Sequence, residues 1–276
     1  MNSTFNKIVL ILMLALTVMI VGCEADAFRE AAREGTQEAM EEYLEEYPDG
    51  KYSDRARDVI EKMKLNKALN ENTVEAYNRF LQQYPESEFY DEVKAQRDHV
   101  LKEISRNLSV EEMQEVIIRV KTTSGTFSFD LLPEAAPEHS RNIIYLSLIN
   151  FYRNQRINLV APGRMVQMGD PRGDGLGGPG YMIPMEENDL KQERGSVSMW
   201  HYPNEPDTAG SQFFITLVDM PGLDGKYTVF GKVTEGMDVL EKISESEVKG
   251  EKGRKSRTPL TPIYIENMEP VGLELN

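Results

Sequence analysis

Hydrophobic positions in the first third of the chain recur at helical spacing in two similar stretches. One begins at Glu38 and reads EAMEEYLEEYPDGKYSDRAR, and the other begins at Glu75 and reads EAYNRFLQQYPESEFYDEVK. Thr36 and Thr73 precede the two stretches and suit helix N-caps, and the Tyr-Pro pair in each stretch ends its first helix. Apolar residues three and four positions apart predict amphipathic helices. We therefore predict an all-α repeat of two helix pairs.

The pattern changes after Ser105, where apolar and polar residues alternate over short stretches. VIIRVK from Val116 and TFSFDLL from Thr126 flank a turn and predict a β-hairpin. Further short strands are predicted at RMVQM, SVSM, QFFITL, YTVFGKV and PIYIENM. Helical spacing returns after Pro137 and near residues 239–243. Many short strands with two helices predict a mainly-β antiparallel barrel capped by two helices.

The start of the chain has the pattern of an export signal. Lys7 precedes the apolar run Ile8–Gly22, which is shorter than the ~20 residues that a membrane-spanning helix needs. The run ends in IVGC, which resembles the bacterial lipoprotein lipobox and implies lipidation of Cys23, the only cysteine. The alternative is an ordinary signal peptide or an uncleaved anchor. We expect a lipid-anchored protein of the bacterial cell envelope that faces the periplasm or the cell exterior.

These patterns predict a multidomain chain with a signal peptide over 1–22, a helical repeat module over 23–105, a linker over 106–114 and a mainly-β domain over 115–276. The formal net charge is −15 and no Lys/Arg cluster forms a basic face, so we expect no nucleic-acid partner. Residues 24–105 hold 12 basic and 21 acidic side chains, a net charge of −9. The helical module is therefore either a docking surface for a basic protein partner or an acidic spacer.

Four motifs occur in order in the second half of the chain: PEAAPEHSRNIIYLS, PGRMVQMGDPRGDGLGGPGY, AGSQFFITL and LDGKYTVFGKVTEGMDVLEKI. Together they resemble the cyclophilin-type peptidyl-prolyl isomerases, from about residue 115 to residue 275. The helical module resembles the tetratricopeptide-like repeats of bacterial envelope lipoproteins. The first resemblance implies rotation about X-Pro bonds in proline-containing segments of envelope or secreted proteins. Rotation of an amide, with its barrier of ~18–20 kcal/mol, needs no nucleophile. We expect no cofactor and no metal site.

The resemblance implies a peptide groove whose residues match this sequence one by one. Gln167 matches a glutamine that helps to fix the peptide backbone during catalysis. Met165 and Phe214 match apolar pocket residues that the barrel core alone would also explain. The remaining implied groove residues are Gln212, Leu223, Tyr227, Trp200 and His201.

Four positions depart from the family pattern. Leu159 stands where the family has the arginine that donates to the twisted amide, and Arg164 stands where it has a pocket phenylalanine. Trp200 and His201 belong to a bulky run where small residues are usual. Losing one positioned donor costs on the order of 2.7–4 kcal/mol in other enzymes. We therefore expect a weakened isomerase, with Arg164 as a candidate substitute donor. The alternative is a catalytically inactive peptide-binding or scaffold lipoprotein. In either case Leu159 should border the groove beside Gln167 and Phe214.

Overall fold

The computed structural model describes residues 24–248 and 257–275. The predicted signal peptide and the predicted lipidation site, Cys23, lie outside the described residues. Two compact units, Met1–Val100 and Leu101–Asn276, make up the chain. None of the helices in the described ranges has both the length and the apolar character needed to cross a bilayer.

The first unit is helical, as predicted. Its elements are α1 (24–34), α2 (Gln37–Glu46), α3 (Ser53–Glu71), α4 (Val74–Gln83) and the first part of α5 (Tyr90–Asn107). The hydroxyls of Thr36 and Thr73 each accept a backbone N–H at 3.2 Å, from Ala39 and Ala76, which confirms both N-caps. The two repeats therefore start their first helices in the same way.

Two small hydrophobic cores hold the helical unit together. One joins α1, α2 and α3, where Phe28 stacks on Tyr52 at 5.1 Å between ring centroids. The other joins α3, α4 and α5 around Tyr77 and Phe80. Each helix pair thus buries an apolar stripe against its neighbour, which is how repeat modules gain stability.

The segment predicted as a linker contains helical structure instead. Helix α5 continues to Asn107, and a short helix, α6, covers Val110–Gln114. The hydroxyl of Ser109 accepts the N–H of Glu112 at 3.1 Å, and the Glu112 carboxylate accepts the N–H of Ser109 at 2.7 Å. This reciprocal capping box follows from a Ser-x-x-Glu pattern, the signal that a linker assignment overlooks.

The second unit is an eight-stranded antiparallel half-barrel, as predicted. Its strands are β1 (Ile117–Thr122), β2 (Gly125–Leu131), β3 (Leu159–Ala161), β4 (Met165–Met168), β5 (Ser196–Met199), β6 (Phe213–Thr216), β7 (Val229–Glu235) and β8 (Ile265–Val271). Their order in the sheet is β3-β4-β6-β5-β7-β2-β1-β8. The two predicted helices are α7 (Pro137–Leu148) and α8 (Met237–Ser244). Single-turn 3₁₀ helices cover Pro206–Thr208 and Pro221–Leu223.

The sheet curls, so that its two ends approach each other. An isolated bridge joins Arg156, just before β3, to Tyr264, just before β8. Fully buried aromatic rings of Phe129, Phe213 and Phe230 pack together inside the curled sheet. This core fixes the positions of β4, β6 and β7, which build the candidate site.

Candidate active site

A row of paired residues crosses four neighbouring strands. Leu159 of β3 lies opposite Gln167 of β4, Gln167 lies opposite Phe214 of β6, and Phe214 lies opposite Ser198 of β5. Directly opposite residues of antiparallel strands present their side chains on the same face. Gln167 and Phe214 are buried, whereas Leu159 is half-buried. Leu159 therefore stands at the end of the row beside Gln167, the position that the sequence predicts.

Two glutamines link this row to the loop that follows β4. Gln167 donates from Nε2 to Oε1 of Gln212 at 3.0 Å. Gln212 then donates from Nε2 to the carbonyls of Gly175 and Gly177, at 3.1 and 2.9 Å. These bonds fix both amide orientations and leave Oε1 of Gln167 without a hydrogen-bond partner among the described residues. This oxygen is thus available to accept a backbone N–H of a bound peptide.

A buried carboxylate shapes the same loop. Asp170 is 1% exposed and accepts the backbone N–H groups of Arg172, Gly175 and Gly177 at 2.9, 2.5 and 3.1 Å. Gly173 and Gly175 adopt φ values of 70° and 85°, which side chains disfavour. The loop is therefore held in one conformation by its own aspartate, a role that the sequence analysis did not assign.

Aromatic rings form the far end of the row. Phe214 meets Tyr227 edge-on at 5.2 Å, and Tyr227 stacks on His201 at 4.6 Å. Both ring nitrogens of buried His201 lie within 2.9 Å of backbone carbonyls, those of Tyr202 and Lys226. His201 was predicted to contact substrate. In the structure its ring packs on Tyr227 and bonds to two backbone carbonyls.

Met165 and Leu223 complete the apolar surface. Met165 lies two residues before Gln167, on the same face of β4, and pairs with Thr216 of β6. Leu223 ends the single-turn helix that leads to Tyr227. Both side chains are half-buried, so they can contact a ligand as well as the core.

Arg164 lies apart from the row. It is exposed at the corner between β3 and β4, where its carbonyl accepts the N–H of Leu217 at 2.8 Å. Its guanidinium makes no hydrogen bond or ion pair within the described ranges. The structure therefore supplies no contact between this predicted substitute donor and the residues beside Leu159.

Trp200 separates two clefts on this face. The Tyr202 cleft, of about 550 Å³, contains Trp200, Tyr202 and Gln212 together with the glycine-rich residues 176–180. The Leu159 cleft, of about 470 Å³, is lined by Asn158, Leu159, Gln167, Gly173, Asp174, Gly175, Trp200, Arg257 and Thr258. Of the predicted site residues, Leu159, Gln167, Gln212 and Trp200 line these clefts, whereas the others line neither: Arg164, Met165, His201, Phe214, Leu223 and Tyr227. Arg257 also lines the Leu159 cleft, and no motif in the sequence singled it out.

A hydrogen-bonded pair, buried His139 and half-buried Glu186, lies close to the Tyr227 end. Glu186 accepts Nδ1–H of His139 at 2.5 Å and the backbone N–H groups of Glu138 and His139 at 3.0 and 2.9 Å. Burial raises the pKa of the Glu186 carboxyl, but these three hydrogen bonds outweigh it and hold the pKa below its ordinary value. The Thr228 hydroxyl bonds to the Glu186 main chain at 3.0 Å, which links the pair to the residue after Tyr227.

Acidic and histidine side chains do not gather elsewhere into a cation site. Within residues 24–248 and 257–275, no three or more His, Cys, Asp or Glu side chains are placed to hold a metal ion.

Comparison with known proteins assigns this arrangement to a family. The cyclophilin type peptidyl-prolyl cis-trans isomerase/CLD family matches residues 117–270. A peptidyl-prolyl cis-trans isomerase of Helicobacter pylori is 42% identical over 133 residues, which is 47% of this chain and 80% of that protein. Peptidyl-prolyl cis-trans isomerase B of Bacillus subtilis is 43% identical over 122 residues, 44% of this chain and 84% of that protein.

Solved structures agree with these relatives. A crystal structure of a Cryptosporidium parvum cyclophilin type isomerase in the presence of the dipeptide Ala-Pro matches with a TM-score of 0.52 and 32% identity, over 56% of this chain and 98% of that one. The chain belongs to the cyclophilin-type peptidyl-prolyl cis-trans isomerases. It is an isomerase of that type, and the predicted fold and enzyme class are confirmed.

Proposed function

We propose that this chain is a lipid-anchored cyclophilin of the bacterial cell envelope that isomerises X-Pro bonds in envelope or secreted proteins at a reduced rate. The observation that carries the proposal is the row Leu159–Gln167–Phe214. The residues that hold a peptide are present in the row, and an apolar side chain ends it. Peptide binding therefore depends on Gln167 and Phe214, whereas stabilisation of the twisted amide depends on the end of the row at Leu159.

The groove floor, which we define as Gln167, Gln212 and Phe214, accounts for binding. The half-buried side chains of Met165 and Leu223 offer apolar surface for a proline ring, and the buried ring of Phe214 lies opposite Gln167 in the sheet. Gln167 offers the free oxygen described above to the peptide backbone. These contacts hold an X-Pro segment in one orientation, which favours rotation over dissociation.

We define the groove edge as Leu159 and Arg257. The reduced rate follows from the residue at position 159 of this edge. When the C–N bond of an X-Pro amide twists, conjugation is lost and the prolyl nitrogen becomes a better hydrogen-bond acceptor. Only interactions that strengthen in this twisted state raise the rate. Leu159 has no donor to offer, so a rate below that of the arginine-containing family pattern follows.

Membrane attachment rests on the amino-terminal sequence, in which Cys23 ends a short apolar run. Lipid chains on that cysteine would hold the protein firmly if more than one is attached. The Cys23→Ser variant should move from the membrane pellet to the soluble fraction after cell lysis. Persistence of this variant in the pellet would contradict lipid anchoring.

The helical unit has a separate part in the proposal. Its net charge of −9 over residues 24–105 suits a basic protein partner, with tetratricopeptide-like repeats as the docking scaffold. Cross-linking in intact cells should recover a basic envelope protein with the full chain but not with a chain lacking residues 24–100. Equal recovery with both chains would favour a spacer role.

Turnover and binding should be measured together on the full-length chain in detergent. Trp200 is the only tryptophan and borders both clefts, so its fluorescence reports peptide binding. We expect an Ala-Pro peptide to shift this fluorescence, and NMR exchange spectroscopy to show isomerisation slower than that of the B. subtilis relative. Binding without any turnover, or turnover equal to that relative, would contradict the proposal.

A further inference from the structure

Arg257 reaches the groove from a segment that is distant in sequence from β3. Its carbonyl accepts the N–H of Val160 at 2.8 Å, and the next hydroxyl, that of Thr258, donates to the carbonyl of Asn158 at 2.8 Å. Residues 257–258 therefore run along β3, which pairs with β4 in the part of the sheet that the structure describes. This places Arg257 directly beside Leu159.

Within residues 24–248 and 257–275, no acidic side chain is paired with the guanidinium of Arg257. The side chain is exposed, lines the Leu159 cleft together with Leu159 and Gln167, and makes no ion pair or hydrogen bond within the described ranges. Asp174, the acid that lines the same cleft, is paired with Arg172 at 2.6 Å. A bound peptide would therefore meet a free cation next to the floor glutamine.

Guanidinium chemistry suits the demand that Leu159 leaves unmet. Arginine stays charged at all physiological pH values and presents five N–H donors in a rigid plane. The prolyl nitrogen gains electron density during rotation, so a donor to it stabilises the twisted state more than the planar one. Such a donor need not come from β3, provided that its N–H points at the lone pair of that nitrogen.

We propose that Arg257 is the catalytic donor of this groove and supplies from the neighbouring segment the hydrogen bond that residue 159 cannot make. The inference rests on the proposed isomerase function of the same groove. Recognition of an acidic peptide side chain by the same guanidinium is the rival role that the test must separate.

The test compares three variants of the full-length chain in detergent on an Ala-Pro peptide without acidic residues. Arg257→Met removes the donor and keeps the bulk, and Arg257→Lys keeps the charge but not the fork. Arg153→Met is the matched control, an exposed arginine that lines neither cleft. We expect Arg257→Met to lower kcat by roughly tenfold or more with little change in KM. Arg257→Lys should fall between it and the parent, and Arg153→Met should equal the parent.

A second variant tests whether the donor can be moved. In the Arg257→Met background, Leu159→Arg places a guanidinium at the neighbouring position, so we expect it to restore at least the parent rate. Unchanged thermal unfolding of each variant excludes loss of fold as the cause. Restoration of the rate would show that Arg257→Met had removed a donor, because an arginine at position 159 would not replace a merely structural role of Arg257.

Different failures have different meanings. A parent chain that binds the peptide without turnover would overturn both the isomerase function and this role of Arg257. A parent that turns over, with Arg257→Met equal to it, would overturn only the assignment of Arg257. The same holds if Arg164→Met carries the loss of kcat instead. An effect of Arg257→Met confined to KM, seen only with acidic peptides, would replace catalysis by recognition.

Discussion

The groove floor and the groove edge differ in how strongly the fold constrains them. Gln167, Gln212 and Phe214 are buried and hold one another or the adjoining loop through hydrogen bonds and ring contacts. Leu159 is half-buried and Arg257 is exposed, and neither side chain makes a hydrogen bond within the described ranges. Substitutions in the floor should therefore affect folding as well as binding, whereas substitutions at the edge should affect folding less. A donor at the edge could then change position without loss of the fold.

The largest effect on stability should follow a substitution in the floor. Phe214→Ala removes a ring that is 1% exposed, so the free energy of unfolding should fall by about 3–5 kcal/mol. Leu159→Ala is the edge control, and it should cost clearly less because its side chain is only half-buried. Urea denaturation of both variants measures the difference. Equal losses would show that floor and edge are constrained alike.

A smaller effect should follow loss of the amide that joins the floor to the loop. Gln212→Leu leaves the amide of Gln167 and the carbonyls of Gly175 and Gly177 without their partner. Because Gly175 and Gly177 line the clefts, water can replace part of these bonds, so the total cost should be about 1–3 kcal/mol. Turnover should fall as well, because Gln167 loses its fixed orientation. Gln82→Leu, on the exposed surface of α4, is the control for the same chemical change. Chemical denaturation and the exchange assay together check this outcome.

A third prediction concerns Glu186, whose main chain bonds to Thr228, and it depends on pH. The pKa of Glu186 lies below its ordinary value of 4.5, so the unfolded chain binds more protons than the folded chain as the pH falls below that value. Its contribution to stability is then fully present above about pH 4.5 and is lost as the pH falls through the folded pKa. Glu186→Gln should lower stability by about 1–3 kcal/mol at pH 7, and the difference should narrow in acid. A difference that stays constant from pH 7 to pH 3 would contradict this sign.

Some features of the molecule could be predicted from the sequence and others could not. The register Leu159–Gln167–Phe214 and the caps at Thr36 and Thr73 were predictable, because strand alternation and capping leave patterns in neighbouring residues. The contribution of Arg257 was not, since β3 and residue 257 meet only through the tertiary fold.

Other misses have similar physical causes. His201 belongs to the bulky run that the resemblance places at the groove, yet its ring is turned to two backbone carbonyls, and no local pattern reveals such a rotation. Asp170 precedes a glycine-rich run, which was a usable signal for a carboxylate that caps a loop. The helix at 110–114 could have been predicted from its capping-box sequence. Sequence therefore reveals local hydrogen bonding better than contacts between distant segments.

The smallest effect on stability should come from the edge itself. Leu159→Arg exchanges a half-buried apolar side chain for one whose stem can cover the same surface, so unfolding free energy should change by no more than about 1 kcal/mol. Turnover should rise, but less than in the Arg257→Met background, because two guanidinium groups in one cleft repel each other by about 1 kcal/mol at 4 Å in water. The exchange assay on the four combinations of residues 159 and 257 gives the coupling directly. Independent effects at the two positions would mean that they do not serve the same atom of the substrate, and the edge would then have two roles instead of one.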